Sequence, residues 1–197
     1  MVSPGNHEAT CQEVPFTSGL CPEGQHNFSD FSNRYNGMMP TVFPSTSADQ
    51  ASQSSRNFAQ SLAVPPFWYS FDYGMVHVVM INTETDFEDA PDEVTLDAGP
   101  FAPDGQQMRF LDADLASVDR SVTPWIIVAG HRPWVTVGSS SDVCKSCQEA
   151  FEGTLYKYGV DVAVFGHNHN LQRFDPIYNG TVDPAGLNNP KAPAYST

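Results

Sequence analysis

The sequence contains few basic residues and no long apolar run. Only 9 lysines and arginines stand against 23 aspartates and glutamates, which gives the 197 residues a net charge of -14. This balance argues against nucleic-acid binding, because such proteins neutralise phosphates with clustered lysine and arginine. No stretch of about 18 or more apolar residues is present, so no membrane-spanning helix is predicted. We therefore expect neither a nucleic-acid nor a membrane partner, and the oligomeric state stays open.

The first residues also lack the features of a secretory signal. Residues 1–8 have neither the basic start nor the apolar stretch of a signal peptide. These residues carry one of the motifs described below, so the missing signal says little about the compartment. The composition, with 40% apolar and 16% charged residues, is that of a globular domain. A chain of this length is long enough for one domain with a sizeable core.

The four cysteines form two close pairs, Cys11 with Cys21 and Cys144 with Cys147. Four cysteines allow three connectivities, and the sequence cannot choose among them, although local pairing is the simplest. The alternative is a zinc site, since Cys144 and Cys147 have a ligand-like spacing. Cys11 and Cys21 lie too far apart for a zinc knuckle, and disulfides are therefore favoured.

Two glycosylation sequons also indicate a secreted protein. They are Asn27-Phe28-Ser29 and Asn179-Gly180-Thr181. Disulfides and N-linked glycans both belong to the secretory pathway, so the paired cysteines and the sequons agree.

Apolar periodicity predicts four strands and two helices. The strands are expected at residues 67–73, 75–81, 125–130 and 160–165, and the helices at residues 106–118 and 148–158. The first two strands are expected to form a hairpin that turns at Gly74. Strands that alternate with helices indicate an α/β protein.

The remaining segments are expected to be connections. Residues 10–66 are rich in Ser, Asn, Gln, Pro and Gly, which predicts a long connection with short helical turns. Residues 84–104 are acidic and contain three prolines, and the tail from residue 176 onward contains four more, so both are expected to be loops.

Three polar clusters that contain glycine lie where strands are expected to end. They are Gly5-Asn6-His7-Glu8, Gly130-His131-Arg132-Pro133 and Gly166-His167-Asn168-His169. Ligand sites of α/β proteins form at the carboxyl ends of strands, so clusters far apart in sequence can converge there. Neutral imidazole is a preferred ligand of zinc, iron and manganese, and two histidines on one turn can serve two adjacent metal ions.

Each cluster taken singly is as readily a turn or a group of surface histidines, and the metal interpretation depends on their combination. The other two histidines serve as a comparison. His77 lies inside an apolar strand and is predicted to be structural, whereas His26 lies in a polar segment and is predicted to be solvated.

The three clusters resemble the last three of five signature blocks of the calcineurin-like metallophosphoesterases, and the detailed similarity is to the purple acid phosphatases. Similar stretches also occur at residues 27–35, 68–71, 125–134 and 167–173. The resemblance implies an α/β fold of the α/β/β/α type, a two-sheet sandwich flanked by helices. It also implies a secreted enzyme that hydrolyses small phosphate monoesters at a binuclear metal centre.

The resemblance further implies a role for five residues. Asn6, His131 and His167 would bind the second, divalent metal, which is zinc, manganese or iron(II). His169 would bind the first metal, iron(III). His7 would contact the substrate phosphate and assist the leaving group.

The sequence departs from the family pattern in three places. The first two blocks, which supply two aspartates and a tyrosine to the metals, are not present before Asn6, and the family sequence continues beyond residue 197. Residues 1–197 are therefore expected to be a partial catalytic domain, incomplete at both ends, that is inactive or very weak by itself. The substrate-side histidines after the second cluster are also missing, since residues 135–142 contain none. Arg132 is an alternative anion contact or a structural surface residue.

Three other functions remain open at this stage. One is a phosphodiesterase or nucleotidase of the same superfamily, although residues 125–134 favour the acid phosphatase branch. Another is a non-catalytic fragment or binding protein that keeps the fold. The last is a structural zinc protein that uses Cys144 and Cys147.

Overall fold

The structure is a computed structural model that describes residues 1–9, 26–40, 49–91, 99–138 and 143–197. The first four helices are α1 (Asn6–Ala9), α2 (Ser29–Tyr35), α3 (Gln50–Leu62) and α4 (Gln106–Ala116). Helix α5 is a continuous run that starts as Lys145–Cys147, passes through a π-helical turn at Gln148–Glu152 and ends as Gly153–Lys157. Within the described ranges, no helix combines the length and the apolar character needed to cross a membrane.

The strands form one mixed sheet and one small hairpin. They are β1 (Tyr69–Tyr73), β2 (Val76–Met80), β3 (Trp125–Ala129), β4 (Val162–Val164), β5 (Arg173–Phe174), β6 (Ile177–Tyr178), β7 (Thr181–Val182) and β8 (Ala194–Ser196). The six-stranded sheet has the order β1-β2-β3-β4-β8-β5, and β6 pairs with β7 separately. Strands β2, β3, β4 and β8 run parallel, while β1 and β5 are antiparallel edges. The α/β fold class is confirmed.

Apolar alternation explains how the sheet packs. Ile126, Val128 and Ala163 are at most 1% exposed and belong to the same core as Leu111 of α4 and Leu155 of α5. Helices thus cover one face of the parallel strands, as expected where strands alternate with helices. The predicted hairpin is confirmed, with Tyr73 paired to Val76 and Gly74 at a φ of +58° in the turn.

Two segments that were predicted to be connections contain regular structure. Both predictions were wrong because neither element has the apolar periodicity from which helices and strands were predicted. Within residues 10–66, α3 is a helix of 13 residues, and its Asp49 cap accepts a hydrogen bond from the Ser52 amide at 2.8 Å. Its buried residues are Arg56 and Ala59, so it shows no apolar stripe. In the tail, β8 has three residues and only Tyr195 fully buried, which is too short for a periodic signal.

The cysteine prediction is settled in part. Cys144 and Cys147 form a disulfide at the start of α5. The zinc alternative that used these two cysteines was therefore wrong, because their thiols are joined to each other. Cys11 and Cys21 lie outside the described residues.

His77 lies at the centre of a buried cluster of polar side chains between the sheet and the helices that pack on it. It lies on β2 with no exposed surface, and its ring contacts Asp72 Oδ1 at 2.6 Å and Asp114 Oδ2 at 2.8 Å. The Ser70 hydroxyl donates to the other oxygen of Asp114 at 2.5 Å, and Arg56 lies 3.8 Å from Asp72. This position agrees with the structural role predicted for His77, since the cluster joins α3, α4 and the edge hairpin.

The two carboxylates hold the His77 ring protonated. Burial by itself lowers the pKa of His77, but the charge and hydrogen bond of Asp114 and the hydrogen bond of Asp72 outweigh it and raise the pKa to about 9. Burial raises the pKa of Asp72, yet the hydrogen bond and charge of His77 bring the pKa of Asp72 below its ordinary value. A raised histidine pKa contributes stability that is present below about pH 6.5 and is lost as the pH rises through about 9.

We predict that His77→Gln lowers the free energy of unfolding by about 3 kcal/mol at neutral pH, since it leaves buried carboxylates without their cation. The gap between variant and parent should narrow as the pH rises through about 9, because the parent loses its imidazolium there. Urea unfolding across this pH range measures both effects, with His26→Gln as the control. A gap that stays constant with pH would show that His77 is neutral in the folded state.

Candidate metal centre

Asn6, His131 and His167 meet at the carboxyl edge of the parallel strands. His131 Nε2 lies 2.8 Å from Asn6 Oδ1, and His167 Nδ1 lies 3.2 Å from both atoms. The two imidazole planes cross at 77°. Three atoms with lone pairs therefore form a small triangle, although up to 161 residues separate their positions in the sequence.

The parallel pairing of two strands places the two histidines side by side. His131 follows β3 and His167 follows β4, and these strands pair in parallel. The pairing continues beyond the strands, because the Gly130 amide donates to Val164 and the Gly166 amide donates to the His131 carbonyl. His167 has a φ of +66°, an uncommon conformation for a residue with a side chain. This conformation turns the chain directly at the ligating residue.

Asn6 reaches the triangle from a segment that is fastened to the same sheet. The Val2 amide donates to the Tyr69 hydroxyl at 3.1 Å, and the Ser3 hydroxyl donates to the Ile81 carbonyl at 2.8 Å. Glu8 accepts from the Gly5 amide at 2.8 Å, which closes the first turn of α1 around Asn6.

Gly5 allows the close approach of this segment to His131. A Cβ atom at Gly5 would lie 2.8 Å from three atoms of the His131 ring. Such a contact is far inside van der Waals distance, so only glycine fits beside the imidazole without displacing it.

A buried polar loop after β2 is hydrogen-bonded to the loop that carries His131 and Arg132. Asn82, Thr83 and Glu84 have no exposed surface. The Thr83 hydroxyl accepts from the amides of His131 at 3.1 Å and Arg132 at 2.8 Å. Arg132 Nε in turn donates to Glu84 Oε2 at 2.7 Å. Sequence reasoning missed these residues, although a polar run directly after a buried strand is the same signal that marked the histidine clusters.

His131 is held in its neutral form. Burial lowers the pKa of His131 most, and the positive charges of His167, Arg132, His7 and His169 add to it, so the pKa falls to about 3. Neutral imidazole is the form that binds a metal ion.

The donor set of the triangle fits a divalent metal ion. Atom separations of 2.8 to 3.2 Å are close to those of ligands that lie about 2.0–2.2 Å from a common ion. Two imidazole nitrogens and one amide oxygen suit zinc, manganese or iron. In the described part of the chain, no group of three or more His, Cys, Asp or Glu side chains is placed to hold a metal ion, and the triangle itself takes its third atom from an asparagine.

The other two predicted site residues lie outside this triangle of three atoms. His169 follows His167 by two residues and is exposed, and His7 is exposed on α1. His7 lines a cavity of about 770 Å³ together with Arg34 and Tyr35 of α2.

We predict that Gly5→Ala weakens zinc binding at least about tenfold while the fold persists, because the added methyl displaces the His131 ring. Zinc titration followed by calorimetry measures the affinity, and circular dichroism checks the fold. Gly153→Ala is the matched control, since its Cβ would meet nothing within 4 Å. Equal zinc affinity in both variants would show that the His131 ring is not a ligand.

The chain is similar in sequence to known phosphatases. The sequence profile described as calcineurin-like phosphoesterase matches residues 1–171. The chain is 58% identical over 99% of its length to acid phosphatase A of Cryphonectria parasitica, and 37% identical over 96% of its length to an acid phosphatase of Aspergillus ficuum. It spans 40% and 36% of the lengths of these two relatives. A purple acid phosphatase from yellow lupin seeds, with a TM-score of 0.48, aligns at 26% identity over 70% of this chain and 24% of that chain.

Proposed function

Because the chain belongs to the calcineurin-like phosphoesterase family, we propose that it forms part of a binuclear metal centre that hydrolyses phosphate monoesters. The convergence of Asn6, His131 and His167 carries this proposal. These three residues would hold the divalent ion, which is zinc, manganese or iron(II), and His169 would hold iron(III). The bound metals would supply Lewis acidity toward the phosphoryl oxygens.

The residues of the chain would prepare the site for this chemistry. The low pKa of His131 keeps its ring ready to bind a cation over the whole physiological pH range. The loop that bears His131 and Arg132 donates hydrogen bonds to Thr83 and Glu84, which hold that loop in place, so the site needs little reorganisation.

His7 would act on the leaving group. It is adjacent to Asn6 on α1 and lines the cavity of about 770 Å³ beside α2. A leaving group placed in this cavity lies next to the imidazole, and protonated His7 would donate to the departing oxygen. The cavity has room for a small organic phosphate ester, which we propose as the substrate class.

We propose that the protein is secreted. Asn27 and Asn179, the acceptors of the two sequons, are both exposed, and Asn179 lies in the turn between β6 and β7. Exposed loop positions are those that glycosylation requires. The Cys144–Cys147 disulfide is compatible with the same oxidising compartment.

The first test measures metal content and p-nitrophenyl phosphate hydrolysis at mildly acid pH. Two chains are compared, residues 1–197 and a version extended upstream through the two signature blocks that precede Asn6 in the family. We expect the extended chain to bind two metals and to turn over, and His167→Ala to abolish both properties. His26→Ala is the control, because His26 lies outside the triangle.

The outcomes separate the proposals. An extended chain that stays metal-free and inert would favour a non-catalytic binding protein. Robust turnover by residues 1–197 alone would contradict our expectation that these residues by themselves are inactive or very weak. Faster hydrolysis of phosphate diesters than of monoesters would favour a phosphodiesterase.

A second test concerns His7. We predict that His7→Ala lowers kcat about 100-fold or more on an alkyl phosphate, since general acid catalysis contributes about 10²–10⁴-fold. The metal content should stay that of the parent, because His7 is not part of the ligand triangle. A smaller effect on p-nitrophenyl phosphate is expected, as its leaving group needs less protonation. An equal loss on both substrates would argue against proton donation.

A further inference from the structure

A second cavity adjoins the metal triangle. It has a volume of about 330 Å³ and shares His167 with the triangle. Arg132, Lys145 and Ser146 also line it. Two of the nine basic residues of this acidic chain therefore face one small space beside the candidate ligands.

The two cations of this cavity differ in their surroundings. Arg132 forms an ion pair of 2.7 Å with Glu84, which has no exposed surface, so a buried carboxylate already compensates its charge. Lys145 is exposed, and it takes part in no ion pair within the described ranges. The net positive charge of the cavity wall therefore comes mainly from Lys145.

A disulfide fixes the position of Lys145. The turn that bears Lys145 and Ser146 is closed by the Cys144–Cys147 bond. Cys147 is fully buried, and the Cys144 amide donates to the Pro133 carbonyl at 2.9 Å, two residues after His131. The backbone of Lys145 is thus tied through its neighbour Cys144 to the loop that carries the candidate ligand.

We infer that Lys145 is a specificity-determining residue that binds the phosphoryl oxygens of the substrate and of the product phosphate. This inference rests on the proposed function, since it assigns a residue to the same site. The chain has a net charge of -14, which repels anions, so an anion site needs a local cation. Lys145 supplies such a cation on the wall of the cavity that His167 also lines.

The inference is tested by binding of inorganic phosphate, measured by calorimetry on the metal-loaded and the metal-free extended chain. We expect Lys145→Gln to weaken phosphate binding about tenfold to a hundredfold, the usual effect of losing a charged hydrogen bond. Lys145→Arg should restore most of the affinity. The KM for p-nitrophenyl phosphate should rise in parallel, while the metal content stays unchanged.

Lys157→Gln is the matched control. It removes the same charge from the far end of α5, where Lys157 pairs with Asp112 at 2.6 Å and does not line the cavity. Phosphate affinity in this variant should equal that of the parent.

The results distinguish the inference from the function on which it rests. If the parent holds metal and turns over but Lys145→Gln behaves like Lys157→Gln, the inference is overturned and the proposed function stands. If phosphate binding depends on Lys145 in a chain that neither holds metal nor turns over, the proposed function fails and the anion site remains. A parent that does not bind phosphate overturns the inference.

Discussion

The parallel pairing of β2, β3 and β4 is the constraint on which the candidate site depends. Parallel strands end at the same edge, and here the backbone ladder runs past the strands through the Gly130 and Gly166 amides. The loops that bear His131 and His167 are therefore held by main-chain hydrogen bonds. Distances of about 3 Å between side chains of different loops require such support, because mobile loops would place the ligands too loosely.

Close packing and burial set the chemistry at this edge. Gly5 allows the N-terminal segment to contact the His131 ring. The buried side chains of Thr83 and Glu84 accept hydrogen bonds from the loop of His131 and Arg132 and hold it in place. Burial and neighbouring cations keep His131 neutral, whereas two carboxylates keep His77 charged at the other end of β2. Two histidines of one small domain thus take opposite protonation states because their neighbours differ in charge.

Sequence patterns predicted the elements that bury apolar side chains. The hairpin, β3, β4, α4 and most of α5 follow from periodicity, since each buries a regular set of apolar residues. Helix α3 was not predicted because its buried face consists of Arg56 and Ala59. Strand β8 was not predicted because three residues are too few to show an apolar period. Tertiary partners stabilise both elements: α4 for the helix, and β4 and β5 for the strand.

The sequence by itself determined the fold class, because buried apolar runs alternate with amphipathic helices, and it indicated the candidate ligands through polar clusters that contain glycine and histidine. Tertiary structure alone decided which of them meet. It placed Asn6, His131 and His167 in one triangle, while His7 and His169 are exposed. It also brought Lys145 to the cavity that His167 lines. The residues that meet lie far apart in the sequence, and they are brought together by the parallel pairing of β3 and β4 and by hydrogen bonds that fasten the first residues to the sheet.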